Sequence, residues 1–124
     1  MTRVRIAPSL LAADFAHLGD EIARVERAGA DLLHLDIMDG HFVPNLSYGI
    51  PVVEAVRRCT RLPLDTHLML SDPGAYLEPF ARAGADSLTI HVELAADPRP
   101  LLAEIGRLGK GRGLALNPHT PIDG

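Results

Sequence analysis

A single cysteine, Cys59, is all that the chain contains, so an internal disulfide is excluded and a disulfide-stapled secreted fold with it. The N-terminus lacks a basic segment followed by an apolar core of signal-peptide length, which points to the cytoplasm. No apolar run is long enough to cross a bilayer, and no basic amphipathic helix suggests attachment to its surface. Lysine and arginine never gather into a long block, and the formal net charge is -4; the electrostatic footprint of a nucleic-acid binder is missing. No linker or low-complexity stretch divides residues 1–124. Together these absences leave a single globular domain with a small molecule as its expected partner.

What is present alternates between two kinds of segment. The runs "VRIAPSL", "DLLHLDIM", "LPLDTHLML", "DSLTIHVE" and "RGLALNP" are short and rich in branched aliphatic residues, and predict five strands. Between them the apolar spacing is helical. Phe15, Leu18, Ile22 and Val25 follow Asp14 and stop at Gly29; Pro51 opens a second helix; Asp72 and Asp97, each before a proline, are N-cap signals for two more that end near Gly84 and Gly109. Pro79, inside the third helix, predicts a shortened or kinked one.

Strands alternating with helices in this way predict βαβ units and a parallel sheet. An internal echo, "RAGADLLHLDIM" from Arg27 and "RAGADSLTIHVE" from Arg82, repeats after two such units. Repetition at that period favours a symmetric (β/α)8 barrel of the TIM type, here incomplete with about five parallel strands, over a doubly wound sheet. No G-x-G-x-x-G follows the first strand, which weakens the dinucleotide-binding alternative further.

Alternation along a strand then sorts side chains by face. Leu33, Leu35 and Ile37 oppose His34, Asp36 and Met38; Leu64, Thr66 and Leu68 oppose Asp65, His67 and Met69. The aliphatic faces suit the helices, so the polar faces turn into the barrel. The echo sends Thr89 and His91 inward too, and Ser9 and Asn117 fall at the C-terminal ends of their strands, where barrel enzymes place their chemistry. Burying His34 and Asp36 without partners would cost several kcal/mol. Two imidazoles and a carboxylate from adjacent strands, His34, Asp36 and His67, suit a borderline divalent metal such as zinc, iron, manganese or cobalt. A hydrogen-bonded buried pair is the other reading of H-x-D. His91 reads as a hydrogen-bonded interior residue, and Asp65 as a group that pairs with a neighbour. Asp39 reads as a turn residue with a further role behind the ligands, and Asn117 as a turn residue. His17, His41 and His119 have no periodic link to this cluster.

At these residues the sequence resembles the N-terminal part of the ribulose-phosphate 3-epimerase family, through "IAPSLLAADFAHLGDE", "HLDIMDGHFVPNLSYG", "THLML", "HVE" and "LALNPHTP" in order. The resemblance implies a (β/α)8 barrel that interconverts D-ribulose 5-phosphate and D-xylulose 5-phosphate in the pentose phosphate pathway, with one divalent metal at the C-terminal mouth. It implies His34, Asp36 and His67 as metal ligands, Asp36 as an acid/base group, Ser9 and His67 as substrate contacts, and Met38 and Met69 close over the metal and reacting carbon. The family's second acid/base aspartate, on the seventh strand, has no counterpart among these residues, and Asp123 is not promoted to that role. The expectations are therefore an epimerase represented by its first five βα units, an allulose 6-phosphate 3-epimerase with the same metal chemistry, or a half-barrel that binds metal or phosphosugar without turnover. Open sheet edges add a homo-oligomer as one way to cover exposed hydrogen bonds.

Overall fold

In a computed structural model, residues 3–122 are described, and the alternation of the sequence becomes one four-stranded sheet. Strands β1 (Leu33–Met38), β2 (Leu64–Met69), β3 (Ser87–His91) and β4 (Gly111–Ala115) pair in that order, all parallel. Helices α1 (Leu18–Arg27), α2 (Ile50–Cys59), α3 (Leu77–Ala83) and α4 (Arg99–Arg107) alternate with them. This is an α/β fold compatible with part of a (β/α)8 barrel. No helix among the described residues is long and apolar enough to cross a membrane. Asp123 lies outside those residues.

The aliphatic faces form the core. Leu33, Leu35 and Ile37 of β1, Leu64 and Leu68 of β2, and Leu88 and Ile90 of β3 are buried against Ile22, Val53, Val56, Leu77, Phe80 and Ile105 of the four helices. At about 1.5–3 kcal/mol for each large aliphatic side chain, this layer dominates the stability, while His34, Asp36 and Met38 stay half-buried on the opposite face. The end of α3 shows why a glycine must stop it. Gly84 has φ +127°, and a Cβ there would meet Arg57 Cδ at 2.5 Å. Arg57 cannot yield, because its guanidinium donates to the carbonyls of Thr60 (2.8 Å) and Leu62 (2.7 Å) and to Asp86 (2.9 Å).

Two expectations need correction. The first predicted strand is not part of the ladder, so the sheet has four strands where five were expected. Residues 3–8 instead run beside β1, where Ile6 O accepts from Asp31 N–H (3.0 Å) and Pro8 O from His34 N–H (2.9 Å), and a single bridge joins Ser9 to His34. Pro8 has no N–H to return, and the chain turns into a 3-10 helix at Leu10–Ala12. Asp72 is also not the cap of an α-helix: it precedes a 3-10 turn, Pro73–Ala75, without a side-chain cap bond, and α3 begins only at Leu77. Asp97 accepts from Arg99 N–H (3.0 Å) but stands one residue before the cap position of α4, which is Pro98, and Pro79 falls in the first turn of a helix only seven residues long.

The end of the first segment leaves β1 with free edge donors, and the loop after β1 supplies acceptors. Asp36 N–H donates to Tyr48 Oη (3.1 Å) and Met38 N–H to Ser47 Oγ (2.9 Å), whose hydroxyl donates to Asp36 O (2.6 Å). Asp39 fastens the same loop: its carboxylate accepts from His41 N–H (2.8 Å), Phe42 N–H (2.9 Å) and, beyond β2, Ser71 N–H (2.8 Å). Partial desolvation raises its pKa, but these three donors prevail and hold it down at about 2.

Two outcomes follow from this packing. Thr66 is fully buried on the aliphatic face and its Oγ1 has no hydrogen-bond partner among the described residues, so Thr66→Val should raise stability by about 1–2 kcal/mol; urea unfolding that showed a loss would mean the hydroxyl is satisfied. Asp39 is depressed from its ordinary 3.8, so its contribution is present above that pH and disappears as pH falls towards about 2. The wild type should exceed Asp39→Ala in stability at neutral pH, and the gap should close over that acid interval.

Candidate functional site

Parallel register brings the polar residues of β1 and β2 together. Asp36 pairs with His67 and His34 with Asp65, and residues paired in a sheet share a face. Asp36 Oδ1 lies 3.1 Å from His34 Nε2 and 3.4 Å from His67 Nδ1. One ligand atom from each of the three residues lies within 4.8 Å of the others. Ser9, placed by the bridge to His34, donates its hydroxyl to Asp36 Oδ2.

Each imidazole turns its other nitrogen to a partner behind it. His34 Nδ1 lies 2.9 Å from Asp65 Oδ2, and Ser87 Oγ donates to Asp65 Oδ1 (2.6 Å). A carboxylate only accepts, so His34 donates from Nδ1 to Asp65 and, with no cation bound, from Nε2 to Asp36 Oδ1 as well; an ion held at Nε2 would displace that second proton. The Asp65 hydrogen bond raises the His34 pKa against the opposing effect of burial, and the same bond lowers that of Asp65. His67 moves the other way, lowered first by burial and then by the neighbouring His91. Its Nε2 is 2.7 Å from His91 Nε2, and His91 Nδ1 is 3.1 Å from Glu93 Oε1.

The sequence-derived candidates sort as follows. His34, Asp36, His67 and Ser9 converge. Met38 and Met69 pair with each other one pleat nearer the C-terminal ends of their strands, on the same face, and Met69 is buried. His91 is a hydrogen-bonded interior residue, 5% exposed, and Asp65 pairs with His34, both as expected. Asp39 touches none of the three cluster residues; its bonds go to loop backbone. His17 pairs with Asp14 (2.9 Å) and His41 and His119 are exposed, so none of these joins the cluster.

Two participants have no signal in the spacing. Tyr48 props the backbone of Asp36, and burial pushes its hydroxyl up to about 12, so it stays protonated. Glu93 sits in the 3-10 turn after β3 and also accepts from Asn117 N–H (2.9 Å). The Thr120 side chain first, and then the Asn117 and His91 donors, overcome desolvation and hold the Glu93 carboxyl at about 2. Residue spacing could not reveal either role, because each depends on a loop folding back on a strand.

The arrangement can hold a cation and move a proton, and comparison with known proteins places it in a lineage. The model of the ribulose-phosphate 3 epimerase family matches residues 5–124. The chain is 51% identical over 119 residues to a ribulose-phosphate 3-epimerase of Bacillus subtilis, covering 96% of this chain and 55% of that protein. It is 48% identical over 120 residues to a cytoplasmic isoform from Oryza sativa, covering 96% and 53%. The chain thus spans about half the length of the curated relatives it matches. Among solved structures, a Yersinia pestis DHPS shares the fold alone, with a TM-score of 0.67 at 20% identity over 96% of this chain and 47% of that one. A family match over nearly the whole chain, with half-identical relatives, shows that this chain belongs to the ribulose-phosphate 3-epimerase family.

Proposed function

We propose that this chain carries the metal-holding, proton-abstracting part of a ribulose-phosphate 3-epimerase centre, acting on a small phosphosugar in the cytoplasm. The observation that carries the reading is the convergence of His34, Asp36 and His67 within 4.8 Å in a member of that family. Half of each relative's length has no counterpart here, so inversion of D-ribulose 5-phosphate to D-xylulose 5-phosphate belongs to the proposal for the complete enzyme.

The donor set fits a divalent ion. His34 presents Nε2, with its Nδ1 proton committed to Asp65, and His67 presents Nδ1 beside the same carboxylate oxygen. Two imidazoles and one carboxylate suit zinc, iron, manganese or cobalt better than magnesium or calcium. When bound, such an ion supplies positive charge for the enediolate that forms when the proton beside a ketone is removed.

The chain's own residues account for the rest. Asp36 is the acid/base group, its Oδ2 held by the Ser9 hydroxyl so that the carboxylate keeps one orientation towards the interior. Ser9 and His67 face the same space and serve as substrate contacts. Met38 and Met69 cover the C-terminal side with polarizable, apolar surface that excludes water without competing for protons.

The reading is tested by metal content and isotope exchange. His34→Ala or His67→Ala should lose most of the bound metal by elemental analysis, while His119→Ala, exposed and outside the cluster, should keep it; equal content in all three would remove the site assignment. With Asp36 as its one acid/base carboxylate, the chain should wash solvent deuterium into ribulose 5-phosphate without forming xylulose 5-phosphate. Neither exchange nor product, with metal bound, would leave a binding fragment. Exchange with allulose 6-phosphate in place of the pentulose would reassign the substrate.

A further inference from the structure

We infer that Glu93 and His91 are positioning residues, which fix the ring nitrogen that His67 turns to the cluster and tie that choice to the loop after β4. The consequence for metal rests on the reading above; the geometry does not.

A count of protons along the chain of contacts carries the inference. Both oxygens of Glu93 are committed, Oε1 to His91 Nδ1 (3.1 Å) and Oε2 to Asn117 N–H (2.9 Å), and the Thr120 side chain donates to the same carboxylate. An ionised carboxylate can only accept, so His91 carries its proton on Nδ1. Neutral His91 then has a lone pair on Nε2, which faces His67 Nε2 at 2.7 Å. Two lone pairs cannot meet at that distance, so His67 must donate from Nε2. Neutral His67 has one proton for two contacts, and the 2.7 Å contact with His91 claims it over the 3.4 Å approach to Asp36 Oδ1, which is too long for a good hydrogen bond; Nδ1 is left bare. The relay thus delivers the tautomer able to ligate an ion, as carboxylates behind metal-binding histidines commonly do.

Packing keeps water from breaking the relay. His91 is 5% exposed, and the Phe42 ring lies with its centroid 4.8 Å from the His91 ring. Solvent therefore has little access to Nε2 as a substitute partner. Because Asn117 lies on the segment beyond β4, the carboxylate that sets the tautomer is the one that grips that loop.

Glu93→Gln separates this role from mere packing. The site demands two acceptors, and a glutamine of the same shape offers one acceptor and one donor. If its carbonyl keeps the Asn117 N–H, its amide faces His91 Nδ1, which must then accept. The proton of His91 moves to Nε2 and that of His67 to Nδ1, towards Asp36. In the metal-free 124-residue chain, in alkaline buffer that keeps imidazoles neutral, ring ¹⁵N spectra should show His91 protonated on Nδ1 and His67 on Nε2. In Glu93→Gln both should switch, while His34 keeps its Nδ1 proton, and affinity for Co²⁺ alone should fall by about 10–100-fold. A wild-type His91 protonated on Nε2, or a folded Glu93→Gln with unchanged tautomers and Co²⁺ affinity, would overturn the inference. The wild-type spectrum decides even if the variant does not fold. It also separates the two claims, since the expected tautomers without any Co²⁺ binding would refute the metal reading and leave the positioning intact.

Discussion

The pairing register between β1 and β2 is the constraint on which the polar interior depends. It sets Asp36 beside His67 and His34 beside Asp65, and the period of a strand allows no intermediate setting. A slip of one residue would turn Leu33, Leu35 and Ile37 into the interior and drive His34 and Asp36 under the helices. Withdrawing each aliphatic side chain would forfeit about 1.5–3 kcal/mol, and burying the polar pair without partners would cost several more. The packing of Ile22, Val53 and Val56 on one face therefore specifies the chemistry on the other.

With the register fixed, the interior polar groups form two chains of the same design. His34 leans on Asp65, which is held by Ser87 of β3; His67 leans on His91, which is held by Glu93 after β3. In both, an acceptor-only carboxylate ends the chain and sets the protons along it. The two imidazoles consequently reach Asp36 with different nitrogens, Nε2 and Nδ1. Buried networks of this kind gain when every member is satisfied and become costly when one is not. Among the described residues the one buried side-chain oxygen without a partner, Thr66 Oγ1, lies on the helix-facing side, away from these chains.

This division explains which parts of the fold were legible. Alternation alone separated Leu33, Leu35 and Ile37 from His34, Asp36 and Met38, and the echo between Arg27 and Arg82 turned His91 inward. Both readings use local periodicity, which the backbone geometry guarantees. "VRIAPSL" carries the same aliphatic signal, yet Pro8 removes a ladder donor and the chain leaves the sheet at Ser9. Asp72 before a proline looks like a cap, but the proline opens a 3-10 turn instead. Tyr48 and Ser47 act on β1 from a loop that returns along its edge, and Glu93 acts through Asn117, 24 residues later. No spacing rule encodes a partner chosen by tertiary return of the chain.

The inner face is also unequal from side to side, and β4 shows why. Its inward positions are Gly111, Gly113 and Ala115, paired with Ser87, Thr89 and His91. A side chain added at Gly113 would collide with that of Thr89, so the small residue is required by the neighbour. Polar groups are thereby concentrated on β1 and β2, with His91 reaching them from β3, while β4 contributes little volume to the interior. On the outer face the order reverses: Ile90 is fully buried, but its partner Leu114 is 45% exposed. Behind β1 and β2 the helix-facing residues Leu33, Leu35, Ile37, Leu64 and Leu68 are all buried. Close packing behind β1 and β2 lets three half-buried polar residues on the opposite face hold one geometry.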